Sequence, residues 1–109
     1  MAEPLLDGWS EPEQTIARAA FETAYGRAII QLIEAVRQRS DSLSSAQGLW
    51  DLHDFLSIER HTMEGRFDFR IEGILFVFAS LVKDDLLQLD ELNGLTADKL
   101  SKIAAMARF

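Results

Sequence analysis

The chain has no cysteine, which excludes disulfides, zinc–thiolate centres and cysteine nucleophiles together. Turn punctuation is sparse, with two prolines and six glycines in 109 residues, and there is no low-complexity tract and no internal repeat. Basic side chains are in the minority, 11 against 18 acidic ones, for a net charge of −7. A nucleic-acid binder needs the opposite balance to displace counterions from phosphates. An acidic surface suits solubility and a basic or mixed-charge protein partner. Long apolar runs are missing too. The longest, from Gly73 to Val82, is about half of the roughly 20 residues that span a bilayer. The opening MAEPLLDGWS has neither the basic nor the apolar segment of a signal peptide. These absences predict a cytosolic protein without a transmembrane segment, a single domain over 1–109 that folds without covalent staples.

Between the turn signals the pattern is helical throughout. Ser10 and Glu13 have capping-box spacing, and Pro12 falls in the first turn, where its missing N–H is harmless. From there one helix is predicted to about Arg39, with Ala17, Phe21, Ala24, Tyr25, Ala28, Leu32 and Val36 on one face and Gly26 weakening its middle. About 28 residues reach roughly 42 Å, longer than the ~35 Å diameter of a compact domain this size. Ile30 and Ile33 fall outside the main stripe, so the apolar arc needs two sets of neighbours, and a homodimer supplies them. The loop Ser40 to Ser45 leads to a second helix, about Gln47 to Glu64, ended by Gly65. A third is expected over about Phe67 to Gln88, its centre ILFVFASLV apolar on all sides and hence buried. Thr96 caps a final short helix, with Leu100, Ile103, Ala104 and Ala107 on one side. The fold class is all-α with four to five helices: long helices over about 10–64 form the stalk of an elongated dimer, and about 67–109 forms a small helical head.

The chemistry-bearing residues crowd into "WDLHDFLSIERH", Trp50 to His61. On a helix, Leu49, Leu52, Leu56 and Met63 form an apolar stripe. His53 and Arg60 line up beside it, and Trp50, Asp54, Ser57 and His61 form the adjoining line. A metal site fits poorly, because His53 and His61 lie roughly 12 Å apart along the axis and two ligands of one ion need i, i+3 or i, i+4 spacing. His61 and Glu64 have that spacing but make only a pair. The adjacent His53-Asp54 also occurs in metal-dependent phosphohydrolases, which need further histidines from other helices that this chain lacks. Ser57 has no nucleophile elbow or oxyanion loop, and no phosphate-cradling glycine loop exists. A binding surface remains: a tryptophan beside an arginine is the chemistry of an interface hot spot, and Asp54 could hold Arg60 or His61 in place. The plainer alternative keeps Trp50 in the core, with His53 and Arg60 solvating its rim. For the rest, Phe76 and Phe78 read as core residues, and Lys99 and Lys102 as a solvated helix face.

Three blocks, "LWDLHDFLSIERHTMEGRFDFR", "FVFASLVK" and "DKLSKIAAMAR", together with the WS-x-x-E of Trp9 to Glu13, resemble the fluorescence recovery protein family of cyanobacteria. The resemblance covers about Trp9 to Arg108. Asp85 departs from it, standing where the family has a glycine. It implies a helical homodimer that is not an enzyme, has no cofactor and regulates photoprotection. Its partner is the photoactivated, red orange carotenoid protein, engaged chiefly through that protein's C-terminal domain. Reversion to the orange form and release from the phycobilisome are accelerated, so antenna fluorescence recovers. Residues carried over are Trp50, His53, Asp54 and Arg60 for partner binding, Leu49 for the dimer contact, and Phe76 and Lys102 for a second contact in the head. Leu52, Leu56, Ile30 and Ile33 complete the expected dimer interface. A cytoplasmic location, free or at the cytoplasmic side of the thylakoid membrane, goes with that role.

Overall fold

The computed structural model describes residues 8–109. Four α-helices follow in order: α1, Glu11–Asp41; α2, Ala46–Arg66; α3, Ile74–Lys83; and α4, Ala97–Met106. A single 3₁₀ turn, Leu89–Leu92, precedes α4. The described residues contain no strand, only one isolated bridge between Asn93 and Leu95. The all-helical class and the long N-terminal helix are as the sequence pattern implies. No helix among the described residues is long and apolar enough to cross a membrane.

The chain divides into two compact units. One runs to Tyr25 and resumes over Phe69–Phe109; the other is Gly26–Asp68. We call them the core unit and the hairpin unit. Helix α1 serves both, its first turns in one and the remainder in the other.

The core unit holds nearly all the buried apolar residues. Ala17, Ala20, Phe21 and Ala24 of α1 are buried, as are Ile74, Phe78 and Leu81 of α3, Leu86, Leu87, Leu92 and Leu95 of the following segment, and Ile103 of α4. The three alanines follow the three- and four-residue spacing of one helix face. They leave room for Phe21, which meets Phe78 edge-on at 6.4 Å and Phe69 at 5.2 Å. The Arg18 guanidinium lies 4.6 Å from the centroid of the Phe69 ring, an added cation–π contact.

The third helix is shorter than its pattern implies at both ends, Ile74–Lys83 rather than Phe67 to Gln88. Upstream, Gly73 takes a left-handed φ of 76° at the N-cap, so the chain from Phe67 turns before it becomes helical. Downstream, Asp85 N–H donates to Val82 O and Leu86 N–H to Leu81 O, at 3.1 and 2.9 Å. That is the paired bonding of a Schellman stop. Its left-handed residue is Asp85, φ 60°, and its apolar pair is the buried Leu81 and Leu86. No glycine marks this stop, so the helical pattern reads through it. The helix is also not apolar on all sides in effect, because Phe78 is fully buried while Phe76 is 69% exposed.

In the hairpin unit, α1 ends at Asp41, Ser45 caps α2 by accepting from Gly48 N–H at 3.0 Å, and α2 continues through Gly65 to Arg66. Gly65 therefore does not end the helix. Phe67 does, its N–H bonding to Met63 O at 2.9 Å. Residues 42–45 connect the two helices, a length typical of a helical hairpin. The Arg39 guanidinium sits 3.7 Å from the centroid of the Phe55 ring, joining the end of α1 to α2.

Candidate functional site

The hairpin unit buries very little. No residue of α2 is buried, and of the core residues named for the described chain only Ala28 belongs to this unit. Helices α1 and α2 meet through Arg39 and Phe55 and along one shared groove, which covers only one side of each. On α2 that side carries Leu52, Phe55, Glu59 and Met63, all half-buried. Leu49 and Leu56 sit at its edge and stay 48% and 43% exposed; on α1, Ile30 and Ile33 are 68% and 46% exposed. Leu56 joins Ile29, Leu32, Ile33, Val36 and Arg37 around a shallow apolar groove of about 230 Å³.

Around α2 from this apolar edge come Arg60 and His53, and then Trp50, Asp54 and His61, following from the 100° step per residue. Trp50 is 59% exposed, so it is not tucked into this chain's core. His53 Nδ1 and Asp54 Oδ1 are 3.3 Å apart. Arg60 Nε meets Glu64 Oε1 at 3.4 Å across one helical turn. Asp54 thus lies against its neighbour His53 rather than Arg60 or His61, and Arg60 pairs with Glu64. The face combines an aromatic side chain with both signs of charge. Ile58, 66% exposed, lies one turn beyond Asp54 on the same side. Its apolar character is the only sequence signal that marks it, and without the exposure that signal reads as core. Among the described residues no three His, Cys, Asp or Glu side chains gather as metal ligands would.

Phe76 and Lys102 lie in the core unit, on α3 and α4, which pack against each other. Lys102 Nζ is 3.1 Å from Asp98 Oδ2, and both are exposed. Phe76 borders a groove of about 380 Å³ that Ser80, Lys83, Asp84, Met106 and Phe109 also line.

Lys99 is the residue whose environment differs most from expectation. It is not solvated beside Lys102 but 8% exposed, with Nζ 3.0 and 2.9 Å from the two Glu13 carboxylate oxygens. It also donates to Gly8 O and lies 4.5 Å from the centroid of the buried Trp9 ring. Glu13 in turn completes the capping box. Ser10 N–H donates to Glu13 Oε1 at 3.1 Å, and Glu13 N–H to Ser10 Oγ at 3.2 Å. Thr96 N–H donates to Glu13 Oε2 at 3.0 Å. The Lys99 hydrogen bonds and the Ser10 N–H hold the Glu13 carboxyl at about 2, against an ordinary 4.5, outweighing the opposing effect of burial.

Residues 9–107 match the family described as photoprotection regulator fluorescence recovery protein. The class is therefore that of all-helical regulators of photoprotection. More particularly, the chain belongs to the fluorescence recovery protein family. It is 45% identical over 100 residues to the fluorescence recovery protein of Synechocystis sp. PCC 6803, covering 92% of each. Its fold superposes on the solved fluorescence recovery proteins of Fremyella diplosiphon (TM-score 0.86, 46% identity) and Synechocystis sp. PCC 6803 (TM-score 0.87, 44% identity). Each match covers 93% of this chain and 99% of the solved one.

Proposed function

We propose that this chain is a non-enzymatic regulator that binds the photoactivated, red form of the orange carotenoid protein, chiefly through its C-terminal domain. It accelerates return to the orange form and release from the phycobilisome, so that antenna fluorescence recovers. It works as a homodimer, with Leu49, Leu52, Leu56, Ile30 and Ile33 in the twofold contact. Trp50, His53, Asp54 and Arg60 make one partner contact; Phe76 and Lys102 make the other. It acts in the cytoplasm or at the cytoplasmic side of the thylakoid membrane. The reading is supported by family membership and carried by one observation, the exposed Trp50 on a helix that buries none of its residues. A large aromatic beside an arginine is the usual anchor of a protein interface. The apolar side chains exposed on α1 and α2 are what a helical dimer would cover.

Acceleration requires that the transition state between separated and re-docked domains be stabilised more than the red state. A dimer holding one domain while guiding the other raises their effective concentration. No covalent bond changes, so no acid, base or nucleophile is needed. The test is optical. Orange carotenoid protein is converted to the red form by blue-green light, and its dark recovery is followed with substoichiometric amounts of this chain. Faster recovery is expected. Unchanged recovery with partners from several sources would leave a helical adaptor for some other protein.

A further inference from the structure

Glu13 does more than close the first turn of α1. One of its oxygens accepts from Ser10 N–H and the other from Thr96 N–H, which belongs to the N-cap residue of α4. Lys99, in the first turn of α4, donates to both oxygens. A single carboxylate thus ties together the N-termini of two helices separated by 83 positions. The paired side chains are 8% and 11% exposed, so little water competes for these bonds.

Apolar packing is non-directional and by itself lets a short helix roll against its neighbour. Helix α4 has ten residues, and its fully buried apolar anchor is Ile103. The bonds at Thr96 and Lys99 are directional and fix its rotation. Lys102 lies three residues beyond Lys99 and shares its flank. Its ammonium is held by Asp98 from the same helix, so wherever α4 turns, that charge turns with it. A buried ion pair contributes little net stability but can select one arrangement over its alternatives.

We propose that Glu13 is a positioning residue for the core unit's partner contact, fixing the rotation of α4 so that Lys102 is presented beside the helix that carries Phe76. The inference rests on the reading of Phe76 and Lys102 as a contact for the carotenoid protein.

The experiment is a double-mutant cycle on the full-length protein, with affinity for the red orange carotenoid protein as readout. Glu13→Gln is measured alone, Lys102→Ala alone, and the two together. Helix content and molecular mass are recorded for each variant at the binding temperature. The single Glu13→Gln change is expected to weaken binding about tenfold, which is about 1.4 kcal/mol. With Lys102 already replaced, the same change should cost less than about twofold, because interacting positions are not additive. A purely structural role would weaken both backgrounds equally, and additivity would overturn the proposal. So would full affinity in Glu13→Gln when Lys102→Ala binds weakly, and that result would leave the contact itself standing. Normal binding by both Phe76→Ala and Lys102→Ala would instead sink the contact, and this inference with it. Should Glu13→Gln not fold, Lys99→Met enters the same cycle. It keeps an unbranched stem over Trp9 and leaves the Ser10 and Thr96 bonds to Glu13, so a smaller non-additivity of the same sign is expected, and additivity would again overturn the proposal.

Discussion

Lys99 Nζ and Glu13 Oε2 lie 2.9 Å apart although the two residues are 86 positions distant in the chain. The carboxyl is held at about 2 where 4.5 is ordinary. A group whose folded pKa is depressed contributes stability that is complete above its unfolded value and lost as pH falls through the folded one. The shift corresponds to about 3 kcal/mol, full above about pH 4.5 and lost towards pH 2. Denaturant unfolding followed by circular dichroism should show this acid loss in the parent chain. The difference between parent and Glu13→Gln should shrink across the same window. A constant difference from pH 6 to pH 2.5 would contradict the assignment.

At neutral pH the Glu13→Gln protein leaves an ammonium buried without its counter-ion, and a loss of about 3 kcal/mol is expected. Replacing both partners, Glu13→Gln with Lys99→Met, should restore much of it, because no charge then remains buried. Comparing the unfolding midpoints of the two variants decides the point.

Asp85 holds φ 60° at the stop of α3, a conformation that costs a residue with a side chain roughly 1 kcal/mol relative to glycine. Asp85→Gly should therefore raise the thermal midpoint and Asp85→Val lower it, with partner binding unchanged.

Gly94 faces the opposite situation. Its φ is 111°, and a Cβ there would lie 2.3 Å from Ile16 Cδ1. Gly94→Ala should destabilise by about 2 kcal/mol. Adding Ile16→Val removes the nearest methyl and should recover part of the loss. The remainder stays, because the backbone angle is unchanged. Thermal unfolding of the single and double variants measures both parts.

Arg60 and Glu64 are 81% and 68% exposed, and exposed pairs of this kind contribute less than about 0.5 kcal/mol to stability. Arg60→Leu should therefore leave helix content and unfolding almost untouched while abolishing acceleration of dark recovery. An active Arg60→Leu protein would move the contact away from α2. Leu49→Glu should yield monomers by light scattering, and a persistent dimer would place the twofold contact elsewhere.

What could be read from the sequence divides by distance along the chain. The capping box of Ser10 and Glu13 and the Thr96 cap are local, three residues wide, and both form as their spacing implies. The faces of α2 follow from the helical period, and the exposure of Trp50 keeps it out of this chain's own core, which period alone could not tell, since a stripe does not say which side finds a neighbour. The second role of Glu13 was out of reach. Nothing in the spacing of Lys99 marks it as buried, and its partner lies at the other end of the chain. The overrun of α3 has a local cause: Asp85 performs the turn that glycine usually signals, so the stop left no mark in the composition.

The division of α1 between two units has a consequence for synthesis. All the residues of the α1–α2 hairpin are present once Arg66 has been made. The first turns of α1 must wait, with Trp9, Phe21 and a hydrated Glu13 still open, until Thr96 and Lys99 emerge some eighty positions later. Domains generally fold as units during translation, and here the first turns of α1 belong to the unit that is completed after the hairpin. Until that unit is complete, the face of α1 that carries Phe21 stays uncovered in the nascent chain.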